Sequence, residues 1–269
     1  MVSPQSPVPR VGVVFRPRAP EKLAGFAAIA EKGGLDDLWL WEDCFLEGGL
    51  TAATAALAWT TSIRVGLGLM PAPFRNPALA AMEIATLTRL FPGRFVPVTG
   101  HGVQSWMRQT GAAVASPLTL LREWTTAVRS LLHGEQVTVA GDYVRLADVT
   151  LDWPPLVIPP LLIGGTGRKT LALAGEIADG LVLHAGHSPD DVRHAAETAE
   201  IDAGQELVVY VRQGSDAAPD AVAGQISAFA AAGATAVILQ VARQDADDDE
   251  AVAELAAQAR RILHGEYRR

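Results

Sequence analysis

The chain is poor in the residues that usually announce a chemistry. It has one cysteine, Cys44, which excludes a disulfide framework and any cysteine-based zinc site. Lys22, Lys32 and Lys169 are its only lysines, and none is placed to serve as a Schiff-base amine at a barrel strand's end. Aromatic residues make up 6% and charged residues 19% of the 269 positions. The 22 Lys and Arg against 30 Asp and Glu leave a net charge of −8. Nucleic acid and anionic membrane surfaces select clustered positive charge, so neither is expected as a partner. Mean hydropathy is nonetheless positive, at +0.19. No uncharged apolar run reaches the roughly 18–20 residues of a spanning helix: Gly48–Ile63 is rich in Thr and stops at Arg64, and Trp153–Gly167 is interrupted by prolines. Met1–Pro9 is polar and proline-rich, without the basic and apolar regions of a secretion signal. The expectation is a cytoplasmic protein that buries its apolar residues on both faces of many elements.

What the chain does have is alternation. Short, nearly continuous apolar runs occur at Val11–Phe15, Asp37–Trp41, Ile63–Leu69, Phe95–Thr99, Pro160–Gly164, Gly180–His184, Leu207–Arg212 and Thr235–Gln240. Strands of a parallel sheet covered on both faces read this way. Between them lie Ala- and Leu-rich segments of helical length: Pro20–Lys32, Leu50–Thr60, Pro77–Leu90, Pro117–His133, Arg168–Ile177, Pro189–Ala203, Pro219–Ala232 and Asp247–His264. Asn76-Pro77, Ser116-Pro117, Ser188-Pro189 and Ala218-Pro219 are helix-entry signals. The alternation predicts a (β/α)8 barrel forming one domain over residues 1–269, with an open doubly wound sheet as the alternative. Gly134–Pro159 breaks the rhythm, and Gln136–Ala140, Gly141-Asp142 and Tyr143–Leu146 read as a β-hairpin inserted between the fourth helix and fifth strand. The acidic run Asp245–Glu250 reads as a solvated, dipole-favoured start of the last helix. Trp59, Trp124 and Trp153 read as packing residues.

A barrel of this kind carries its chemistry at the C-terminal ends of its strands. There the sequence places Glu42-Asp43-Cys44-Phe45, then Phe74-Arg75-Asn76-Pro77, Gly100-His101-Gly102, Gly164-Gly165-Thr166-Gly167-Arg168-Lys169 and His184-Ala185-Gly186-His187. Glycines leading from a strand into a helix leave backbone N–H groups free to meet an anion, and Arg168 and Lys169 add charge. The spacing is neither a Walker A loop nor a Rossmann fingerprint, and a tight turn needing small residues is the plain alternative. His184 and His187 lack a third ligand, so no metal is expected. His101 is a candidate ligand contact or an exposed loop histidine. Glu42 and Asp43 are candidate general acids or bases, or turn caps. Cys44, among Trp41, Phe45 and Leu46, reads as an inert buried thiol.

Three segments together resemble the bacterial luciferase-like oxidoreductases. They are Leu38–Asp43, then Arg75–Ala80 with Thr86-Leu87 and Phe91–Phe95, and Gly167–Gly180. The resemblance runs from about Val11 to about Ala185. It implies a (β/α)8 barrel, usually dimeric, that binds F420 or FMN across the barrel mouth. The cofactor phosphate is then expected near Gly164–Lys169, with Gly100, His101 and Gly102 beside the ribityl chain or phosphate. A bulge in the third strand, often with a non-prolyl cis peptide, is expected at Gly68-Leu69. The family often has Asp-His after the second strand, where this chain has Asp43-Cys44, so Asp43 or His101 becomes the candidate acid. The short chain and the stretch from Gly102 through Ser116–Thr119 favour F420. The expectation is hydride transfer between F420 and a small organic molecule, with Asp43, His101 and Glu42 near the reacting centre and Trp41 and Phe74 as walls. Arg75, Arg168 and Lys169 are expected to gather positive charge at the mouth. The alternatives are an FMN-dependent monooxygenase, a non-catalytic flavin-binding barrel and an unrelated phosphate-binding barrel.

Overall fold

The computed structural model describes residues 8–16, 18–242 and 248–266. Its strands are β1 (Arg10–Val14), β2 (Asp37–Leu40), β3 (Arg64–Pro71), β4 (Phe95–Gly100), β5 (Val137–Ala140), β6 (Arg145–Val149), β7 (Leu162–Gly164), β8 (Gly180–Leu183), β9 (Glu206–Gln213) and β10 (Ala236–Val241). Eight of them close into a parallel barrel in the order β1-β10-β9-β8-β7-β4-β3-β2, while β5 and β6 pair separately as an antiparallel hairpin. The anticipated barrel and hairpin are therefore both present.

Helices α1 (Leu23–Lys32), α2 (Gly49–Trp59), α3 (Pro77–Leu90), α4 (Gln104–Gln109), α5 (Pro117–Leu132), α6 (Arg168–Ile177), α7 (Pro189–Ala199), α8 (Pro219–Ala231) and α9 (Asp249–Leu263) surround it. Their starts follow from local chemistry. Asn76 accepts a bond from Ala78 N–H, Ser116 from Thr119 N–H, and Ser188 forms a reciprocal capping box with Asp191. The six residues of α4 are too few and too polar to show a helical period, so the sequence gives no sign of them. Pro20–Lys22 is a 3-10 turn leading into α1 rather than its first turn.

Strand parity builds two hydrophobic layers. Leu207, Val209 and Val211 of β9 face the helices, whereas Val208 and Tyr210 point into the barrel. Leu38 and Leu40 of β2 and Val237 and Leu239 of β10 face outward likewise, with Trp39 and Ile238 inside. Room for the large inward rings comes from β3, whose inward positions are glycines. A Cβ on Gly66 would stand 2.5 Å from the Trp39 ring, and one on Gly68 would stand 2.5 Å from the Tyr210 hydroxyl.

The N-terminal end of the barrel is closed by charge. Asp37, 1% exposed, accepts from Arg10 Nε at 3.2 Å, and Glu206 pairs with Arg10 at 2.5 Å and Arg64 at 3.0 Å.

Several packing expectations are corrected. Trp124 is buried, but Trp59 and Trp153 are 55% and 72% exposed. Asp249 is buried and paired with Arg18 rather than solvated, and residues 245–247 of that acidic run lie outside the described residues. Cys44 is half-buried, and its neighbours Phe45 and Leu46 are exposed, so the apolar shelter expected for the thiol is missing.

Candidate active site

A cavity of ≈ 670 Å³ opens at the C-terminal ends of the strands, within the range typical of small-molecule sites. It brings together residues far apart in sequence: Glu42, Asp43, Gly68, Leu69, His101 and Gly102 line it, as do Gly164, Gly165, Thr166 and Gly167.

The β3 side supplies an irregular edge. Pairing with β4 shifts register between Leu67 and Met70, and the Gly68-Leu69 peptide is cis, as the resemblance implies. A second non-prolyl cis peptide, Cys44-Phe45, follows β2 and has no counterpart in the sequence reading. Gly100 is wedged against this edge, since a Cβ there would lie 2.6 Å from Leu69 Cδ2 and 3.0 Å from the Gly164 carbonyl.

The β7–α6 turn supplies donors. Thr170 and Leu171 N–H donate to the Gly167 carbonyl at 2.8 and 2.9 Å, closing the first turn of α6. The N–H groups of Thr166, Gly167, Arg168 and Lys169 have no acceptor among the described residues. Donors left open at a helix start favour an anion. The side chains of Arg168 and Lys169 are exposed and do not line the cavity.

His101 is tied to this turn, with its Nε2 2.9 Å from Thr170 Oγ1, while its Nδ1 is buried without a partner. Burial pulls the His101 imidazole below its ordinary value, so it is neutral at pH 7. Asp43, just past the end of β2, also lines the cavity, and burial pushes its carboxyl above the usual aspartate range. The Cys44 thiol is also pushed up, by burial and then by Asp43 and Glu42, away from a reactive thiolate.

Glu42 behaves differently from a free acid or base. Its two oxygens accept from Arg75 Nη2 and Nη1 at 2.5 and 2.6 Å, and the Gly49 N–H adds a 3.1 Å bond. Arg75 also reaches Glu83 at 3.4 Å and does not line the cavity. The positive charge expected from Arg75 at the mouth is therefore spent on carboxylates. Phe74, expected as a wall, lines a separate ≈ 270 Å³ cavity beside the hairpin, while Trp41 does line the main one.

Tyr210, Arg212, Gln240, Trp106 and Thr170 also line the cavity, and the sequence reading did not single them out. Strand parity was the available signal, because Arg212 and Gln240 continue the inward series of Val208-Tyr210 and Ala236-Ile238. Among the described residues no cluster of His, Cys, Asp and Glu could hold a metal ion.

The chain belongs to the luciferase-like monooxygenase family, whose model matches residues 5–269. It is 32% identical to a 5,10-methylenetetrahydromethanopterin reductase of Methanolobus tindarius over 180 residues, 66% of this chain and 55% of that protein. It is also 32% identical to an F420-dependent glucose-6-phosphate dehydrogenase of Kineococcus radiotolerans over 187 residues, 64% of this chain and 55% of that protein. The chain thus spans about half the length of these curated relatives. The coenzyme F420-dependent tetrahydromethanopterin reductase from Methanopyrus kandleri has the same fold, with a TM-score of 0.80 at 19% identity over 93% of this chain and 98% of that one.

Proposed function

We propose that this chain binds F420 across the cavity and catalyses hydride transfer between C5 of that cofactor and a small organic substrate. The observation that carries the reading is the convergence, on one cavity, of the bulged β3 edge at Gly68-Leu69 and the open amides of the turn that follows β7. Its sequence relatives, an F420-dependent dehydrogenase among them, support it. The residues present fit such a group, with donors for a phosphate on β7, a glycine edge on β3 and apolar walls at Trp41, Leu69 and Val98.

When bound, the deazaflavin supplies a two-electron centre that gives or takes a hydride. The chain's own residues do the rest. The open amides of Thr166–Lys169 hold the phosphate, and the neutral His101, fixed by Thr170, braces the same turn. Gly68 and Gly102 present backbone to the ligand, while Gly100, expected from the sequence as a ligand contact, is packed between Leu69 and the Gly164 carbonyl and does not line the cavity. The walls exclude water, which strengthens every electrostatic contact inside. Asp43, whose carboxyl burial favours the protonated form, holds or accepts the proton that accompanies hydride transfer. Glu42 positions that loop through Arg75 and Gly49.

The test is titration of the purified protein with F420 and with FMN, followed by fluorescence and calorimetry. F420 is expected to bind at least about tenfold more tightly, one 1.4 kcal/mol step. Gly165→Asp is expected to abolish that binding: its Cβ would stand 2.6 Å from Thr170 Cγ2, and its carboxylate would repel the phosphate. Tight FMN binding with no F420 binding overturns the reading in favour of an FMN monooxygenase. F420 binding without turnover on any alcohol, aldehyde or imine would mark a non-catalytic carrier.

We also propose that a second copy of the chain covers α3. Leu79, Met82, Thr86 and Leu90 form an exposed stripe without charge along that helix, and the outward residues of α2 (Thr51, Thr54, Ala58 and Trp59) are uncharged as well.

A further inference from the structure

The ring order divides the mouth of the barrel into two arcs. Gly68-Leu69, Gly100-His101 and Gly164–Lys169 belong to β3, β4 and β7, which are neighbours in the closed sheet. On the proposed reading the cofactor occupies that arc. The rest of the cavity is bounded by β8, β9 and β10 and, across from β8, by β2.

The polar groups on the second arc have a definite character. Arg212 is the lone Lys or Arg side chain among the described residues that line the cavity. It forms no ion pair with any described residue and is exposed. By contrast Arg10 and Arg64, at the closed end of the barrel, pair with Glu206, and Arg75 pairs with Glu42. Parity aims Arg212 inward above Tyr210, and the β9–β10 register sets it beside Gln240. Its Nη1 lies 3.7 Å from where a Cβ on Gly186 would stand, so the guanidinium leans over the His184–His187 loop. The two imidazoles there are 4.8 Å apart, and His187 Nε2 is buried without a partner. The acids nearest in sequence to that loop, Asp190 and Asp191, are engaged by Arg193 and by Ser188 in the α7 cap respectively.

We infer that Arg212, with Gln240 and His184 beside it, is the anchor for a negatively charged group of the substrate. The substrate class is an acid anion, a carboxylate or phosphate ester carried on an apolar body. Arg212 supplies a planar fork of donors matched to such oxyanions. Val182, Ala185 and the Tyr210 ring provide apolar wall for the body on this arc. Arg212, at the end of β9, lies across the closed ring from β3, so an anion held there leaves the reacting carbon facing the β3 edge. The inference rests on the cofactor occupying the β3–β4–β7 arc. The acidic tail of F420 has the same chemistry as such a substrate, and the two sources separate by experiment.

Phenyl phosphate, benzoate and the neutral benzyl alcohol are titrated calorimetrically into the unloaded and the F420-loaded protein. At least one anion is expected to bind about tenfold or more tightly than benzyl alcohol, the worth of one hydrogen bond to a charged group. Arg212→Met should abolish that preference and Arg212→Lys should restore part of it, while the Kd for F420 stays within about threefold of the parent value, under one 1.4 kcal/mol step. Equal binding of the three probes to the parent protein overturns the inference, as does a preference that survives in Arg212→Met. An F420 affinity that collapses in Arg212→Met, with phenyl phosphate competing against F420, also overturns it and gives Arg212 to the cofactor tail. Should F420 fail to bind the parent protein, the reading of function falls, and the unloaded titrations still decide the anion subsite.

Discussion

Asp43 and His101 are both half-buried at the cavity wall, and that burial drives both toward their neutral forms. For the carboxyl that means an elevated pKa, and for the imidazole a lowered one. Infrared difference spectra of the parent protein against Asp43→Asn should show a carboxyl band titrating above about 3.9, the ordinary aspartate value; a band titrating at or below it refutes the proton-carrying role. Thr170→Val removes the 2.9 Å contact to His101 and should weaken F420 binding by about tenfold, as loss of one hydrogen bond at an anion site does. At this scale the sequence is legible where chemistry is local. The glycine turn at Gly164–Gly167 is a backbone requirement written in consecutive residues, whereas the break at Gly68-Leu69 was foreseen only through the family resemblance. Arg212 and Gln240 were hidden, because each ends a strand as an ordinary polar residue and only the barrel's closure sets them side by side. Arg75 misled for a related reason: its captor Glu42 is 33 positions away in the chain.

Between elements, two carboxylates do the fastening. Burial pushes the Glu31 carboxyl up, but the N–H groups of Thr61, Ser62 and Ile63 and the Ser62 hydroxyl outweigh it, and it titrates at about 2. A carboxyl depressed in the folded state stabilises the fold fully above its unfolded value, 4.5, and that contribution is lost as pH falls toward 2. Urea unfolding should therefore show stability declining across this acid window, with a shallower decline in Glu31→Gln; parallel slopes would refute the role of Glu31. At the closed end of the barrel, Asp37→Ala leaves Arg10 and Arg64 with Glu206 alone. Removing one member of a buried ion cluster costs about 3–5 kcal/mol, so a loss under about 1 kcal/mol in the same assay would count against the cluster. Helix starts were readable because Asn76, Ser116 and Ser188 cap within three residues. Neither fastening was, since Glu31 reaches 30 positions and Asp37 reaches Glu206 only through arginines from other strands.

Over the whole molecule the positive mean hydropathy has two sources. The doubled core, with one layer inside the barrel and one outside it, accounts for the buried share. The exposed share comes from the outer faces of α2 and α3 together with Phe45-Leu46 and the Trp153–Ile158 stretch, and among the described residues no helix is long and apolar enough to cross a membrane. Sedimentation equilibrium should return twice the 28.4 kDa chain mass, with Met82→Glu shifting it toward a single chain. A monomer at micromolar concentration in the parent protein would refute the pairing.

The six tryptophans are sorted by the same architecture into three optical populations. Trp41 and Trp106 look into the cavity, Trp39 and Trp124 are sealed from solvent, and Trp59 and Trp153 lie on the outer surface of the single chain, Trp59 on the α2 face proposed to meet a second copy. Iodide therefore reaches Trp153 first, whereas a chromophore entering the barrel mouth darkens the pair facing the cavity. The protein carries its own unlabelled reporter of occupancy.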